Sequence, residues 1–523
     1  MAGPDGGLRV TVDANRVSGK LEPFWASQII HPTESLETEQ GQALLRLMAE
    51  AGAARQYVRI YNQPEHAARV ADDGTVTYDW SRFDKMAQMI LATGNKLKVV
   101  FFGMPEALAA YPKSVLKRPT GVTVCISPPK DYRQWEALCA DFTRHVVAKY
   151  GRDEVLQWTF RCWNEPDLAG FWHKADLPEY LKLYDHFAKG VKSVCPEIRI
   201  GGPALTSTGT YKKPQNFTFF LDHVTSGTNH ATGGTGSPVD FLAVHTYGGS
   251  GGGGGPGREF PDVAYLIEQQ TRLADLRDAY PALRAVPIHV EEWGETSGGT
   301  KGVDTQPKAD VRNSEYGAAF LVCWVERHIR LRRENDRKIE GFTFCASGYE
   351  KPPTRDFMGY RTLHTKNGFH KPLLNAYTLL GKAGAELVHV EGVPPEGPVG
   401  VFATRDERRV AVVLVNYQHD RLDSREGVTF SVEVKMALPW APETPVTLTH
   451  WRIDREHSNA YTVFKELGSP ADPTPEEAGN IRSRMGLETV VAEGKTRVAD
   501  LSTVRLTLPC NAVSLLEIVR RDP

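Results

Sequence analysis

The chain has 523 residues, 41% of them hydrophobic and 24% charged, with a formal net charge of −2. Lys and Arg are spread along it rather than clustered, which argues against a nucleic-acid partner. No apolar run approaches the roughly 20 residues of a membrane-spanning helix, which argues against a membrane partner. The 7 cysteines show no CxxC pairing, which favours buried thiols over a disulfide framework or a zinc site. Residues 1–7 lack the basic and apolar regions of a signal peptide. The expectation is a cytoplasmic chain, or a secreted or periplasmic one whose leader has been removed.

The elements unfold in a consistent order. Residues 8–13 alternate apolar and polar, and segment 1–21 is expected to lend a strand to a distant second domain. From there strand and helix patterns alternate. Strands are predicted at 24–30, 57–61, 97–103, 156–163, 198–202, 241–247, 288–293 and 341–346. Helices are predicted at 41–51, 80–91, 132–150, 177–195, 216–224, 262–277 and 314–332. Eight strands with helices between them predict an α/β fold, a (β/α)8 TIM barrel over 22–384. The stretch 248–257 is almost all glycine and reads as a floppy insertion or a mobile lid. After a helix at 372–384 come short strands at 399–403, 409–417, 428–434, 446–452, 504–508 and 514–519. These predict a C-terminal antiparallel β-sandwich over 385–523. Inside it, 457–493 is a polar, proline-bearing excursion with one helix (475–484), expected to pack on the barrel.

The chemistry-bearing residues cluster at the C-terminal ends of the barrel strands, where such folds build their sites. The fourth strand runs into Trp163-Asn164-Glu165-Pro166, and the seventh is His289-Val290-Glu291-Glu292-Trp293. Two carboxyls on one rim suit glycosidic bond cleavage, one as a proton donor to the leaving oxygen and one as a nucleophile. Pro166 should bias Glu165 towards extended backbone. Strand alternation should turn Glu291 and Glu292 to opposite faces. Around the pair, Asn164, Arg59, His31, His245 and Tyr247 are candidate substrate contacts, Tyr247 and Arg59 are also expected to hold Glu292 charged, and Gly201-Gly202 should leave room for a ligand. Trp25, Trp163, Trp172 and Trp293 are candidate platforms for sugar faces. No metal-ligand cluster, phosphate loop or serine nucleophile elbow is present, so neither cofactor nor metal is expected.

These motifs resemble glycoside hydrolase family 39. The resemblance runs from Trp163-Asn164-Glu165-Pro166-Asp167 through Gly201-Gly202-Pro203, His245-Thr246-Tyr247 and the Glu292 strand. It continues through Lys371-Pro372 to His457-Ser458-Asn459-Ala460-Tyr461. It implies a retaining exo-acting glycosidase built as a barrel with an appended β-sandwich, Glu292 as nucleophile and Glu165 as acid/base. The partner is then an oligosaccharide or glycoside, with homo-oligomers left open. Tyr247 and Glu350 resemble the β-xylosidase members, and Arg361 resembles the α-L-iduronidase side. A β-D-xyloside is the favoured substrate. An iduronidase-like or arabinoside-directed hydrolase is the alternative, and an inactive carbohydrate-binding protein the remote one.

Overall fold

The computed structural model describes residues 7–118, 121–206, 212–250, 254–299, 302–345 and 353–521. Eight parallel strands pair in chain order into a curled sheet: Ser27–Ile29, Tyr57–Tyr61, Lys96–Phe101, Thr159–Cys162, Arg199–Leu205, Phe241–His245, Ile288–Glu292 and Ile339–Glu340. The last strand leads back to the first. Phe344 bridges both Gln28 and Trp293, and its N–H donates to the Ser27 carbonyl at 2.9 Å. Parallel neighbours require crossovers, and helices supply them, among them Tyr132–Tyr150, Leu177–Val194 and Val263–Asp278. Asp131, Asp176 and Asp262 cap these three, each carboxylate accepting a first-turn backbone N–H. Both faces of the sheet are covered, so Val99, Val100, Phe101 and Phe102 are all buried. The arrangement is a TIM-barrel-like α/β fold with a sheet-rich second domain.

The second sheet has nine strands. In spatial order they are Glu488–Arg497, Pro445–Ile453, Ala512–Arg520, Arg409–Asn416, Val399–Arg405, Glu386–Glu391, Leu8–Lys20, Phe430–Ala437 and Thr503–Leu508. Its pairings are antiparallel with one exception. Leu8–Lys20 runs parallel to Phe430–Ala437, in register from Leu8 opposite Val432 to Asp13 opposite Ala437. The expectation of a wholly antiparallel sheet is corrected there. No hairpin joins those two strands, and the long chain between them permits either direction. Alternation divides the faces: Val410, Val412 and Leu414 enter the sheet's own core, while Ala411, Val413 and Val415 join the core shared with the curled sheet.

Helix Glu315–Glu334 is buried between the two units. Its Tyr316 hydroxyl donates to the Pro261 carbonyl at 2.6 Å and lies 2.9 Å from the Tyr417 hydroxyl. The excursion after Pro445–Ile453 carries two helices, Ala460–Glu466 and Pro475–Ser483. Their Tyr461, Phe464 and Ile481 pack on Phe357 and Phe369, in the segment beyond the eighth strand. Gly201 and Gly202 do not leave space for a ligand. A side chain on Gly201 would strike the Phe241 ring at 2.4 Å, and one on Gly202 the Tyr180 hydroxyl at 2.6 Å. Parts of 248–257 are closely packed, since a side chain at Gly248 would meet Phe320 at 2.8 Å and one at Gly255 the Tyr265 ring at 2.4 Å, whereas Gly257 faces open space. Residues 251–253 lie outside the described residues.

Candidate active site

Beyond the fourth strand the backbone turns sharply. Trp163 and Glu165 both adopt left-handed conformations, with φ of 59° and 47°. The extended geometry expected for Glu165 before Pro166 is therefore not adopted. Hydrogen bonds to both neighbouring strands enforce the turn: Trp163 N–H donates to the Phe101 carbonyl at 2.9 Å and Glu165 N–H to the Ala204 carbonyl at 3.0 Å. Such conformations cost about 1–3 kcal/mol each and cluster where function needs a side chain aimed off its strand. Here the turn aims Glu165 into the mouth of the sheet. Asn164, between them, accepts a hydrogen bond from Arg161 Nη2 at 3.1 Å.

The seventh strand solves the same problem with a bulge. Val244 pairs with Val290, but His245 pairs with Glu292, leaving Glu291 as the extra residue. Alternation lapses at the bulge, so both adjacent carboxylates turn inward and the expectation of opposite faces is corrected. Glu291 reaches Lys98 Nζ at 2.9 Å and Arg161 Nε at 3.5 Å, on the third and fourth strands. Glu292, one residue further up, accepts from Arg59 Nη2 at 2.6 Å and from the Tyr247 hydroxyl at 2.8 Å.

Glu165 and Glu292 meet at one imidazole. His245 Nδ1 lies 2.9 Å from Glu165 Oε1 and 3.6 Å from Glu292 Oε2. Donor atoms of the three residues fall within 4.8 Å of one another. The two carboxyls nevertheless differ in acidity. Burial raises Glu165 above the usual carboxylate range, with His245 opposing and the charge of Glu292 adding to the rise. Burial also pushes Glu292 upward, but His245, Arg59 and Arg361 outweigh it and hold Glu292 well below that range. A trio of this composition could hold a cation. The Arg59 guanidinium already occupies Glu292 at 2.6 Å, which opposes one electrostatically. A second trio, Asp185, His223 and His230, has ligand geometry away from this rim.

A cavity of about 530 Å³ opens above the pair. His31, Asn164, Glu165, Tyr247, Glu292 and Arg361 all line it. Arg361 Nη1 donates to the Tyr247 hydroxyl at 2.6 Å, and its guanidinium sits 5.3 Å from the Tyr247 ring centre. Two predicted sugar contacts have a different place. Arg59 and His245 are buried beneath the cavity wall and hold the carboxylates instead of facing the cavity. The predicted platforms Trp163, Trp172 and Trp293 are fully buried, and Trp25 nearly so. Trp163 Nε1 donates to the Phe171 carbonyl at 2.7 Å and Trp172 Nε1 to the Asp176 carbonyl at 2.7 Å. Trp293 stacks on Trp324 with centroids 3.6 Å apart. Indoles at strand ends are large enough to be claimed by the helix layer. Phe171, Tyr61 and Tyr247 supply the cavity's aromatic surface instead. Glu350 lies outside the described residues.

The structure adds Asp167, Thr206, Lys213 and Asn216 to the lining. Asp167 takes a hydrogen bond from the Thr206 hydroxyl at 2.6 Å. Asp167 and Phe171 were within reach of sequence reasoning, since they share the Glu165 loop. Lys213 and Asn216 follow the fifth strand without a motif.

A family model for glycosyl hydrolases family 39 matches residues 8–494. The chain belongs to this family. It is 26% identical to a beta-xylosidase of Caldicellulosiruptor saccharolyticus, over 89% of this chain and 88% of that protein. It is 23% identical to the alpha-L-iduronidase of Mus musculus, over 92% and 76% respectively. Among solved structures, a monomeric beta-xylosidase from Caulobacter crescentus CB15 superposes with a TM-score of 0.80 at 24% identity. That match covers 98% of this chain and 100% of the other. This member of family 39 is accordingly a glycoside hydrolase with a carbohydrate substrate. Among the described residues no helix is long and apolar enough to cross a membrane.

Proposed function

We propose that this family 39 chain is a retaining, exo-acting glycosidase that releases terminal β-D-xylosyl residues. Glu292 is the nucleophile and Glu165 the acid/base. The observation that carries this reading is the pair itself: two carboxyls with oxygens within 4.8 Å of each other, one raised and one lowered in acidity by its surroundings. Retaining glycosidases keep their carboxyls about 5–5.5 Å apart, whereas inverting ones need room for a water between them. In the first step Glu292 attacks the anomeric carbon while Glu165 gives its proton to the leaving oxygen. In the second, Glu165 takes a proton from water, which attacks the same carbon and frees Glu292. Retention follows from the two inversions. The reading also takes 22–384 as a complete (β/α)8 barrel and 385–523 as a β-sandwich joined by the strand from 1–21.

The sugar assignment leans on the β-xylosidase relatives. One feature favours a second reading, an α-L-iduronide or a related uronide: Arg361 and Lys213 both line the cavity and could meet a sugar carboxylate. A panel of p-nitrophenyl glycosides, with the product anomer read by NMR, decides. Release of β-xylose from the β-xyloside supports the proposal. Release from the iduronide or arabinoside alone replaces the sugar, and an inverted anomer overturns the mechanism.

A further inference from the structure

Below the catalytic pair lies a second layer of charge that the two-step mechanism does not use. Lys98 and Glu291 are each 1% exposed and lie 2.9 Å apart. Arg161 approaches the other Glu291 oxygen at 3.5 Å, and Lys98 also donates to the Gly341 carbonyl. Above this layer Arg59 is divided between two neighbours. Its Nη1 donates to the Glu291 carbonyl at 2.8 Å and its Nη2 to the Glu292 carboxylate at 2.6 Å.

Resting on the assignment of Glu292 as nucleophile, we propose that Lys98 and Glu291 are positioning residues for it. They form a closed ion pair that keeps Arg59 committed to Glu292. A carboxylate whose charge is already met by other cations pulls less on a neighbouring guanidinium. Lys98 donates to one oxygen of Glu291 and Arg161 lies 3.5 Å from the other, so Arg59 Nη2 is left to hold one oxygen of Glu292 while Tyr247 holds the other. Two observations and one energetic consideration bear on this. The bulge that turns Glu291 inward also turns Glu292 into the cavity, so one backbone device serves both layers. Glu291 is fully charged: against burial, Lys98 and Arg161 hold it at about 2. A buried ion pair of this kind adds little net stability compared with packed apolar side chains, so stability alone is a weak reason for it.

The groups facing each partner are on the page. Lys98 meets Glu291, Arg59, Arg161 and, at 5.6 Å, the Tyr57 ring. Glu291 meets Lys98, Arg161, Arg59 and its strand neighbour His289. Glu292 meets His245, Arg59, Tyr247, Arg361 and, across the cavity, Glu165 and His31.

Lys98→Met removes the cation and leaves Glu291 to compete for Arg59. Glu292 then loses part of its hold. We expect kcat to fall about tenfold with KM little changed, and the acidic limb of the pH–rate profile to move up by about one pH unit. The double variant Lys98→Met/Glu291→Gln removes both charges together. It should return the acidic limb to the wild-type position and recover most of kcat, which a packing role would not do. Brief pH-jump assays of the full chain read the limb, with a melting curve on each variant. If Lys98→Met fails to fold, Lys98→Gln, which keeps a donor for Gly341, carries the same expectation. An unmoved acidic limb in the single variant, or a double variant no better than the single, overturns the inference. Glu292→Gln is the control: if it keeps near-normal turnover, the catalytic reading itself falls, and this inference with it.

Discussion

Glu165 stands on a loop held in left-handed backbone, 15% exposed at its side chain, with the His245 imidazole as its close partner. Glu292 stands on a strand, clamped by Arg59 and Tyr247, with Arg361 behind the phenol. Both are glutamates, both are buried enough for desolvation to oppose their charge, and both touch the same histidine. What separates them is the number of cations within reach. Glu165 shares one imidazole, whereas Glu292 adds two guanidiniums to it. Opposite shifts in acidity therefore arise from placement alone, and the charge on Glu292 further disfavours charge on Glu165. Activity should require Glu165 protonated and Glu292 ionised. It should fall as pH rises through the raised Glu165 value and as pH drops through the lowered Glu292 value.

The harshest way to break this asymmetry is Glu292→Gln. If Glu292 is the nucleophile as proposed, kcat should drop by about 10⁴-fold or more for every aryl glycoside the enzyme accepts, whatever its leaving group. Glu165→Gln should be gentler and selective. Substrates with poor leaving groups should lose about 10²–10⁴-fold in turnover, the usual contribution of general acid–base catalysis. A dinitrophenyl glycoside needs no proton and should retain its first step. Added azide should then accelerate turnover by replacing water in the second. Steady-state assays with both leaving groups, with and without azide, check the pair. Azide rescue of the Glu292 variant, or equal losses on both substrates for Glu165→Gln, would reverse or dissolve the assignment.

Much of this site could be read from the chain because strand ends carry strong local signals. A buried apolar run followed by Asn164-Glu165-Pro166 marks where a parallel strand delivers a side chain to solvent, and the seventh strand repeats the sign. What periodicity could not supply was deviation from periodicity. The bulge at Glu291 adds a residue without changing the apolar pattern, so alternation misplaced that carboxylate. Trp163, Trp172 and Trp293 misled for a related reason: an indole near a rim can turn towards sugar or towards helices, and sequence spacing does not choose. In the second sheet, Glu386–Glu391 and Glu488–Arg497 escaped notice because they are half-exposed and rich in charge, while hydrogen bonds to Leu8–Lys20 and Pro445–Ile453 define them. Long-range pairing of that kind leaves almost no trace in local composition.

The finest adjustment of the comparison falls on Tyr247. Its hydroxyl donates to Glu292 at 2.8 Å and accepts from Arg361 at 2.6 Å, so it relays a cation to the proposed nucleophile. Tyr247→Phe keeps the ring, and with it the surface that Arg361 covers, but deletes the relay. A hydrogen bond to a charged group is worth about 1.5–3 kcal/mol, and Arg59 and His245 remain in place. The loss in kcat/KM should therefore stay near tenfold, at the low end of that range. With one donor gone, Glu292 holds its proton more tightly, so the acidic limb should move upward while the alkaline limb, set by Glu165, moves less. A pH–rate profile in which the alkaline limb moved more would mean that Tyr247 acts chiefly on Glu165. The phenol would then belong to the acid/base half of the site.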